Sequence, residues 1–365
     1  MNSSEEVKNM GNADRPLVSI IVPTYNEREN LPILVERIDK ALKNKYSYEI
    51  IVVDDNSPDR TWEVALKLAG KGYPVKLVRR PGKLGLGTAV LDGLKKANGV
   101  YVVVMDADLQ HPPEVLPKLL DKALKEKADI VVASRYIQGG GVEGWSIIRK
   151  IISKGATLIA KILLPQARRT TDPMSGYFLF RKEIIEGIEL NPLGYKILLE
   201  ILVKAKYSKV VDVPYVFHRR LHGESKLGVG EMWKYIKHVL RLSEYRPIKF
   251  AIVGASGILV NEGVLYLTLN MGLSEAVAGI IAIEASILSN FTLNDLWTFR
   301  SRRRGSLLWR LVKYHLSVAL GAIVMYSTYL TLTLLVGLSP YLSMFIGILL
   351  GFIANYSLSE IIVWR

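Results

Sequence analysis

Beyond Pro247 the chain turns apolar and stays so. Four runs, about 248–269, 274–297, 309–336 and 341–363, are each long enough to cross a hydrocarbon core of roughly 30 Å as a helix. Backbone groups find no water in hydrocarbon, so runs like these must satisfy their own hydrogen bonds as helices. The pattern predicts an α-helical transmembrane bundle of four helices over 247–365, built as two hairpins. The turns Asn270-Met-Gly-Leu-Ser274 and Gly337-Leu-Ser-Pro340 carry no Lys or Arg. The middle connection, Arg300-Ser-Arg302-Arg303-Arg304, is strongly basic, and Arg310 and Lys313 follow it. Arg246 and Lys249 precede the first run and Arg365 closes the last. Basic residues stay on the cytoplasmic side, so a multi-pass membrane protein is expected with residues 1–247, the middle loop and both termini cytoplasmic.

The apolar half also repeats. Ser289-Asn-Phe-Thr-Leu-Asn-Asp295 is echoed by Ala354-Asn-Tyr-Ser-Leu-Ser-Glu360, and Trp297 and Trp364 follow the two copies. Lys249-Phe250 and Lys313-Tyr314 sit at nearly matching offsets, as two hairpins descended from one unit would show. Asn290, Asn355, Glu262 and Glu284 fall within the spans. Polar groups there must face helix partners or a cavity.

Residues up to about 245 are dense in charge. A leader over 1–16 reads as disordered, a catalytic domain is expected over 17–225, and an amphipathic linker over 226–246 leads to the spans. The formal net charge is +14. With basic residues crowding the edges of the apolar runs, that excess suits a bilayer surface or a phosphorylated substrate; no nucleic acid and no obligate protein partner are expected. The chain has no cysteine, which excludes disulfides and thiolate metal sites.

Within 17–225, apolar strand patterns at 17–22, 48–53, 75–78, 100–105 and 130–134 alternate with helical spacing at about 27–43, 60–70, 87–97 and 113–126. Such alternation predicts an α/β domain, a mostly parallel sheet with helices on both faces. Ligands of these sheets bind beyond the carboxyl ends of the strands, where the motifs of this chain fall. Pro23-Thr-Tyr25-Asn-Glu27 follows the first strand and Asp54-Asp55-Asn-Ser57 the second. A ring such as Tyr25 can cover a nucleobase, and carboxylates can hold base edges or ribose hydroxyls. After the fourth strand comes Asp106-Ala107-Asp108-Leu-Gln110-His111. Alternate residues of an extended chain face one way, so Asp106 and Asp108 can converge on Mg²⁺ or Mn²⁺ holding a diphosphate. A lone Asp-x-Asp is more often a mere acidic turn; three motifs at successive strand ends favour the site. Gly82-Lys83-Leu-Gly-Leu-Gly87 has the wrong glycine spacing for a dinucleotide fingerprint and reads as a loop placing one cation near a nucleotide.

Together, Val22–Glu27, Val53–Ser57 and Asp106–His111 resemble the inverting family-2 glycosyltransferases of the GT-A fold. Lys83–Thr88, Asp172-Pro-Met-Ser-Gly-Tyr-Phe178 and Gly223-Glu-Ser-Lys-Leu-Gly228 narrow the resemblance to the dolichyl-phosphate mannose synthases over about 17–243. The tail resembles the four-helix membrane domain linked to polyprenyl-phosphate glycosyltransferases. The resemblance implies inverting transfer of mannose from GDP-mannose to dolichyl or another polyprenyl phosphate. It implies Pro23, Tyr25, Glu27, Asp54, Asp55, Lys83, Asp106, Ala107, Asp108 and Gln110 around the nucleotide sugar, with Asp106, Asp108 and Gln110 on the metal. It also implies Arg135, Arg149, Ser153 and Arg220 on the acceptor phosphate, and Asp106, Asp108, Arg135 and Arg220 as the catalytic set. Asp172 and Ser175 are expected to border the sugar pocket. The acceptor phosphate is already anionic near neutral pH, so the site needs cations rather than a strong base.

Residues 144–164 and 229–243 look amphipathic and suit either the membrane interface or the catalytic core. Gln138-Gly-Gly-Gly141 suits the hinge of a lid. A glucosyltransferase using UDP-glucose and a lipid-linked sugar flippase are the competing readings. A processive polysaccharide synthase is disfavoured, since no Gln-x-x-Arg-Trp motif is present.

Overall fold

The computed structural model describes residues 15–220 and 229–364. The leader and the Gly223–Gly228 motif fall outside the described residues, apart from the last two leader positions. The chain divides into two compact units, 1–239 and 240–365.

The first unit is built on a seven-stranded sheet. Its strands are β1 (Val18–Thr24), β2 (Tyr48–Asp54), β3 (Val75–Arg79), β4 (Tyr101–Val104), β5 (Ile130–Ser134), β7 (Phe178–Arg181) and β8 (Val210–Pro214), in the order β3-β2-β1-β4-β7-β5-β8. Each expected strand is present within a residue or two. Both faces are covered, which explains the unbroken apolar runs. Ile20, Val22, Ile50, Val52 and Val103 pack on one side with helices α1 (Asn30–Leu42), α2 (Thr61–Gly70) and α4 (Leu116–Glu126). Ile21, Ile51, Val53, Val102 and Val104 pack on the other with α3 (Leu86–Lys96) and α6 (Ile197–Lys204).

One strand departs from the parallel pattern. β7 runs antiparallel between β4 and β5, with Phe178 opposite Val104 and Val132. Its first residue therefore lies at the carboxyl edge of its neighbours. The loop entering it, Asp172–Tyr177, is delivered to the end of the sheet where the motifs gather. A small parallel pair, β6 (Gly141–Val142) with β9 (Val216–Phe217), flanks this edge.

Helices α5 (Ile147–Leu163) and α7 (Val229–Leu242) cover the first of the amphipathic stretches and all but the end of the second. On α5 only Thr157 and Ala160 are buried, while Ile147, Ile148, Ile151, Ile152 and Leu158 are exposed. Tyr235 of α7 donates its hydroxyl to Ala156 O at 2.6 Å, and Met232, Trp233 and Ile236 remain exposed. Packing on the catalytic core accounts for one face of these helices and leaves the apolar face uncovered.

The second unit consists of α8 (Arg246–Asn270), α9 (Glu275–Leu293), α10 (Leu307–Leu330) and α11 (Pro340–Leu358); α9, α10 and α11 each run on into a π turn. α8 pairs with α9 and α10 with α11, as two hairpins. All four are long and apolar enough to cross a membrane. The hairpins exchange charges reciprocally. Arg246 of the first meets Glu360 of the second at 3.0 and 3.1 Å, and Arg310 of the second meets Asp295 of the first at 2.8 and 3.2 Å. Phe299 and Trp364, each four residues past its acid, stack 4.3 Å apart. The structural pair is therefore Phe299 with Trp364; Trp297 is exposed, because the acids and not the tryptophans set the register. Inside each hairpin a glycine meets the repeated asparagine: a Cβ on Gly257 would lie 2.4 Å from Asn290 Nδ2, and one on Gly321 3.0 Å from Asn355 Cβ. Small residues at the crossings let helices approach closely in lipid. Ser317 Oγ donates to Asn355 Oδ1, and Glu284 meets His315 at 3.1 Å, while Glu262 is exposed.

Candidate active site

The chain passes from β1 to β2 and β3 on one side, then crosses to β4 on the other. Such a reversal opens a crevice beyond the strand ends. At the end of β1, Tyr25 lies half-buried under the Lys83 ammonium, 4.2 Å from its ring centroid. Pro23 is half-buried beside it, and Glu27 accepts from Asn30 Nδ2 at 2.7 Å. At the end of β2, Asp54 is fully enclosed. It accepts from Thr24 Oγ1 (2.9 Å), Ser57 N (2.9 Å) and Ser57 Oγ (2.6 Å), so its carboxylate staples two strand ends together. Asp55 accepts from Leu84 N and Gly85 N at 3.1 Å and pairs with Arg80, which ties the glycine loop down.

The turn after β4 carries the two acids. Leu109 adopts a left-handed backbone (φ 63°), a conformation costly for a branched side chain. Asp108 Oδ1 accepts from Gln110 N at 3.1 Å across this turn, and Ala107 is buried between the two acids. Burial, then the charge of Asp106, push the Asp108 carboxyl above its ordinary pKa. Gln110 donates its amide to His218 O at 3.0 Å, which leaves the amide oxygen as the atom able to ligate. His111 is buried, stacked on Tyr177 at 5.2 Å, and burial pushes its pKa down to about 4. Its Nδ1 accepts the Asp106 N–H at 3.0 Å, so that nitrogen is unprotonated. The 3.8 Å approach to Asp106 Oδ2 is thus a contact of neutral imidazole, not an ion pair.

A divalent cation fits this corner by its donors. Two carboxylates and an amide oxygen are hard ligands, and the repulsion already felt at Asp108 is what a cation would relieve. Gly176 abuts this corner: a Cβ there would sit a tight 3.2 Å from His111 Cε1 and in ordinary contact, 3.4 Å, with Asp106 Oδ2.

The basic side of the site begins directly after β5. Arg135 makes a two-pronged hydrogen bond to Asp172, Nε to Oδ2 at 2.7 Å and Nη2 to Oδ1 at 2.8 Å. Burial opposes its charge, and this carboxylate outweighs burial and holds its pKa above the usual value. Arg149 lies over the Trp145 ring at 4.4 Å, and burial, then Arg135 and Arg220, lower its pKa. The three guanidinium groups therefore share one field. Ser153 Oγ bonds the Tyr136 hydroxyl at 2.8 Å, and Arg220 Nη2 donates to Asp108 Oδ2 at 2.6 Å. A cavity of about 250 Å³ is lined by Arg135, Tyr136, Trp145, Lys150 and Lys154 among others. Of the glycine run expected as a hinge, Gln138 and Gly139 are exposed and Gly140 is packed. A Cβ on Gly140 would lie 2.6 Å from Ser134 O, and Gly141 belongs to β6. Ser175 is buried, and its hydroxyl donates to Ala133 O at 2.7 Å and secures the loop.

Residues 19–188 match the family described as Glycosyl transferase family 2, and 249–364 match the GtrA/DPMS transmembrane domain. A dolichol-phosphate mannosyltransferase of Pyrococcus furiosus is 52% identical over 95% of this chain and 99% of that relative. The chain belongs to the dolichol-phosphate mannosyltransferase family. Relatives of the same name from Mycosarcoma maydis and Saccharomyces cerevisiae are 38% and 36% identical over 65% and 66% of this chain, and 84% and 90% of their own lengths. Among solved structures, mannosyl-3-phosphoglycerate synthase of Rubrobacter xylanophilus superposes on 67% of this chain and 77% of its own with TM-score 0.49 and 18% identity.

Two residues beside the candidate site escape a reading of motifs. Arg80, which locks Asp55, has no pattern around it. Lys196, which donates to Met174 O at 2.8 Å, precedes an apolar helix and looks like an ordinary solvated lysine.

Proposed function

We propose that this chain moves mannose from GDP-mannose onto the phosphate of dolichol or a related polyprenol, inverting the sugar carbon. Family membership carries the glycosyl transfer, the mannose and the dolichyl phosphate. The arrangement that best supports the rest is the Arg220–Asp108 contact, which joins an acidic corner to a field of three guanidinium groups.

On the donor side, Tyr25 and Lys83 offer a ring and a cation to the nucleotide, with Pro23 and Glu27 beside them. Asp54 and Asp55 act by shaping that wall. Asp106, Asp108 and Gln110, with Ala107 between the acids, would hold Mg²⁺ or Mn²⁺. When bound, such a cation neutralises charge on the departing diphosphate. On the acceptor side, Arg149 and Arg220 with Ser153 receive the lipid phosphate, guanidinium groups suiting phosphate geometry, and Arg135 adds its charge and the N–H groups that Asp172 leaves open. Their cationic field lowers the repulsion between two anionic substrates. A phosphate oxygen then attacks the anomeric carbon as its bond to the diphosphate breaks. The nucleophile carries no proton, so no side chain need remove one.

The exposed isoleucines of α5 and the Met232, Trp233 and Ile236 face of α7 suit the membrane interface, where an isoprenoid phosphate resides. The four spans are those of a membrane protein, and the basic middle loop supports a cytoplasmic catalytic unit with both termini on that side. Full-length protein in lipid, given labelled GDP-mannose or UDP-glucose with dolichyl phosphate, tests the donor. Transfer from GDP-mannose with a β-linked product is expected; transfer from UDP-glucose alone would overturn the reading.

A further inference from the structure

Lys196 sits where the loop into β7 meets α6. Its position is rigid, because Ile197, Leu198, Leu199, Ile201 and Leu202 directly after it are buried in the core. The amine donates to Met174 O at 2.8 Å and lies 4.4 Å from the Tyr195 ring centroid. Met174 belongs to the loop whose Asp172 grips Arg135 and whose Gly176 abuts Asp106. Lys196 is therefore set between the basic and the acidic halves of the site.

The electrostatics of this placement are unbalanced. An ammonium has three donors, and one is used. Among the described residues no carboxylate lies within ion-pair distance of it; Asp172 and Asp106 act on it only through space, and Asp172 is committed to Arg135. Burial, then the charge of Arg135, push its pKa down to about 7. A buried cation beside another cation, with no carboxylate in direct contact, costs free energy that an incoming anion recovers. Nothing in the packing of α6 requires an amine there, since the carbonyl of Met174 could be met by a neutral donor.

We propose that Lys196 is a further phosphate-binding residue of the transfer site, contributing its ammonium to a phosphoryl oxygen of one of the two substrates. This rests on the reading that the site joins a nucleotide sugar to a lipid phosphate. The shared chemistry is a phosphoryl oxygen; the source is the acceptor phosphate or the donor diphosphate. The ammonium would bring a point charge with rotatable donors beside the fixed forks of the arginines.

The test uses the full chain in lipid with Lys196→Met, which keeps the stem, and Lys196→Arg, which keeps the charge. For Lys196→Met the apparent KM of one substrate should rise about tenfold while the other stays within about twofold. Movement of the lipid-phosphate KM assigns the contact to the acceptor, and movement of the nucleotide-sugar KM assigns it to the donor. Lys196→Arg should recover most of the loss. Calorimetric titration with inorganic pyrophosphate and with a short prenyl phosphate should show the same ligand weakened by Lys196→Met. Unchanged constants overturn the proposal. So does an equal rise in both, with a lowered melting temperature and no recovery in Lys196→Arg, which is the mark of a merely structural lysine. Failure of the unaltered protein to use GDP-mannose would sink the donor reading instead, and the titrations would still decide on Lys196.

Discussion

The Arg220 guanidinium donates to the Asp108 carboxylate at 2.6 Å, although the two residues are 112 positions apart. In the proposed function one serves the acceptor and the other the cation, so the two proposed halves of the site share a hydrogen bond. A charge-assisted bond of this kind aims the arginine before any phosphate arrives.

Asp108→Ala removes a carboxylate proposed to ligate the cation, and with it the partner of Arg220. Transfer should fall by about 10²–10³-fold or more, with the circular dichroism spectrum unchanged. Near-normal turnover would contradict the role of the carboxylate.

Arg220→Ala should act on one substrate. The apparent KM for the lipid phosphate should rise about tenfold, with that for the nucleotide sugar changed less than about twofold. Equal effects on both would argue against an acceptor role.

Asp172→Asn leaves the buried Arg135 guanidinium without its counter-charge. Removing one partner of a buried pair costs about 3–5 kcal/mol, so the melting temperature should drop together with activity. An unshifted melting curve would show that Arg135 finds another partner.

Chelation with EDTA should stop transfer, and added Mg²⁺ or Mn²⁺ should restore it. Gly176→Ala should weaken that rescue, because its Cβ would lie 3.4 Å from Asp106 Oδ2 and 3.2 Å from His111 Cε1. The concentration of cation giving half-maximal rate is the quantity to compare. Identical values for the two proteins would mean that the space beside Asp106 is not used.

The reciprocal charges of the membrane unit should be coupled pairwise. In a double-mutant cycle, Arg310→Ala and Asp295→Ala should show an interaction of about 1 kcal/mol or more, while Arg310→Ala and Glu360→Ala should add more nearly independently. Additivity in the first pair would deny the exchange between hairpins.

Much of this was legible in the order of residues. Short apolar strand patterns, the helices between them and four long apolar runs are local properties of periodicity and length. Asp106 and Asp108 also announced themselves as acids just past an apolar run, but they lie in the bend after β4 and not on the strand itself, so strand alternation is not what sets their geometry. Arg135 was legible as a cation at a strand end, yet its anchor was not. Asp172 reaches it only because β7 enters the sheet backwards between β4 and β5, and no local pattern encodes which strands become neighbours. The same insertion carries Gly176 to Asp106 and Met174 to Lys196. In the membrane half, the repeat was visible in Asn290 and Asn355, whereas the crossing of Arg246 to Glu360 and Arg310 to Asp295 was not. Pairing across hairpins depends on how two helical units pack, which is settled by contacts distant along the chain.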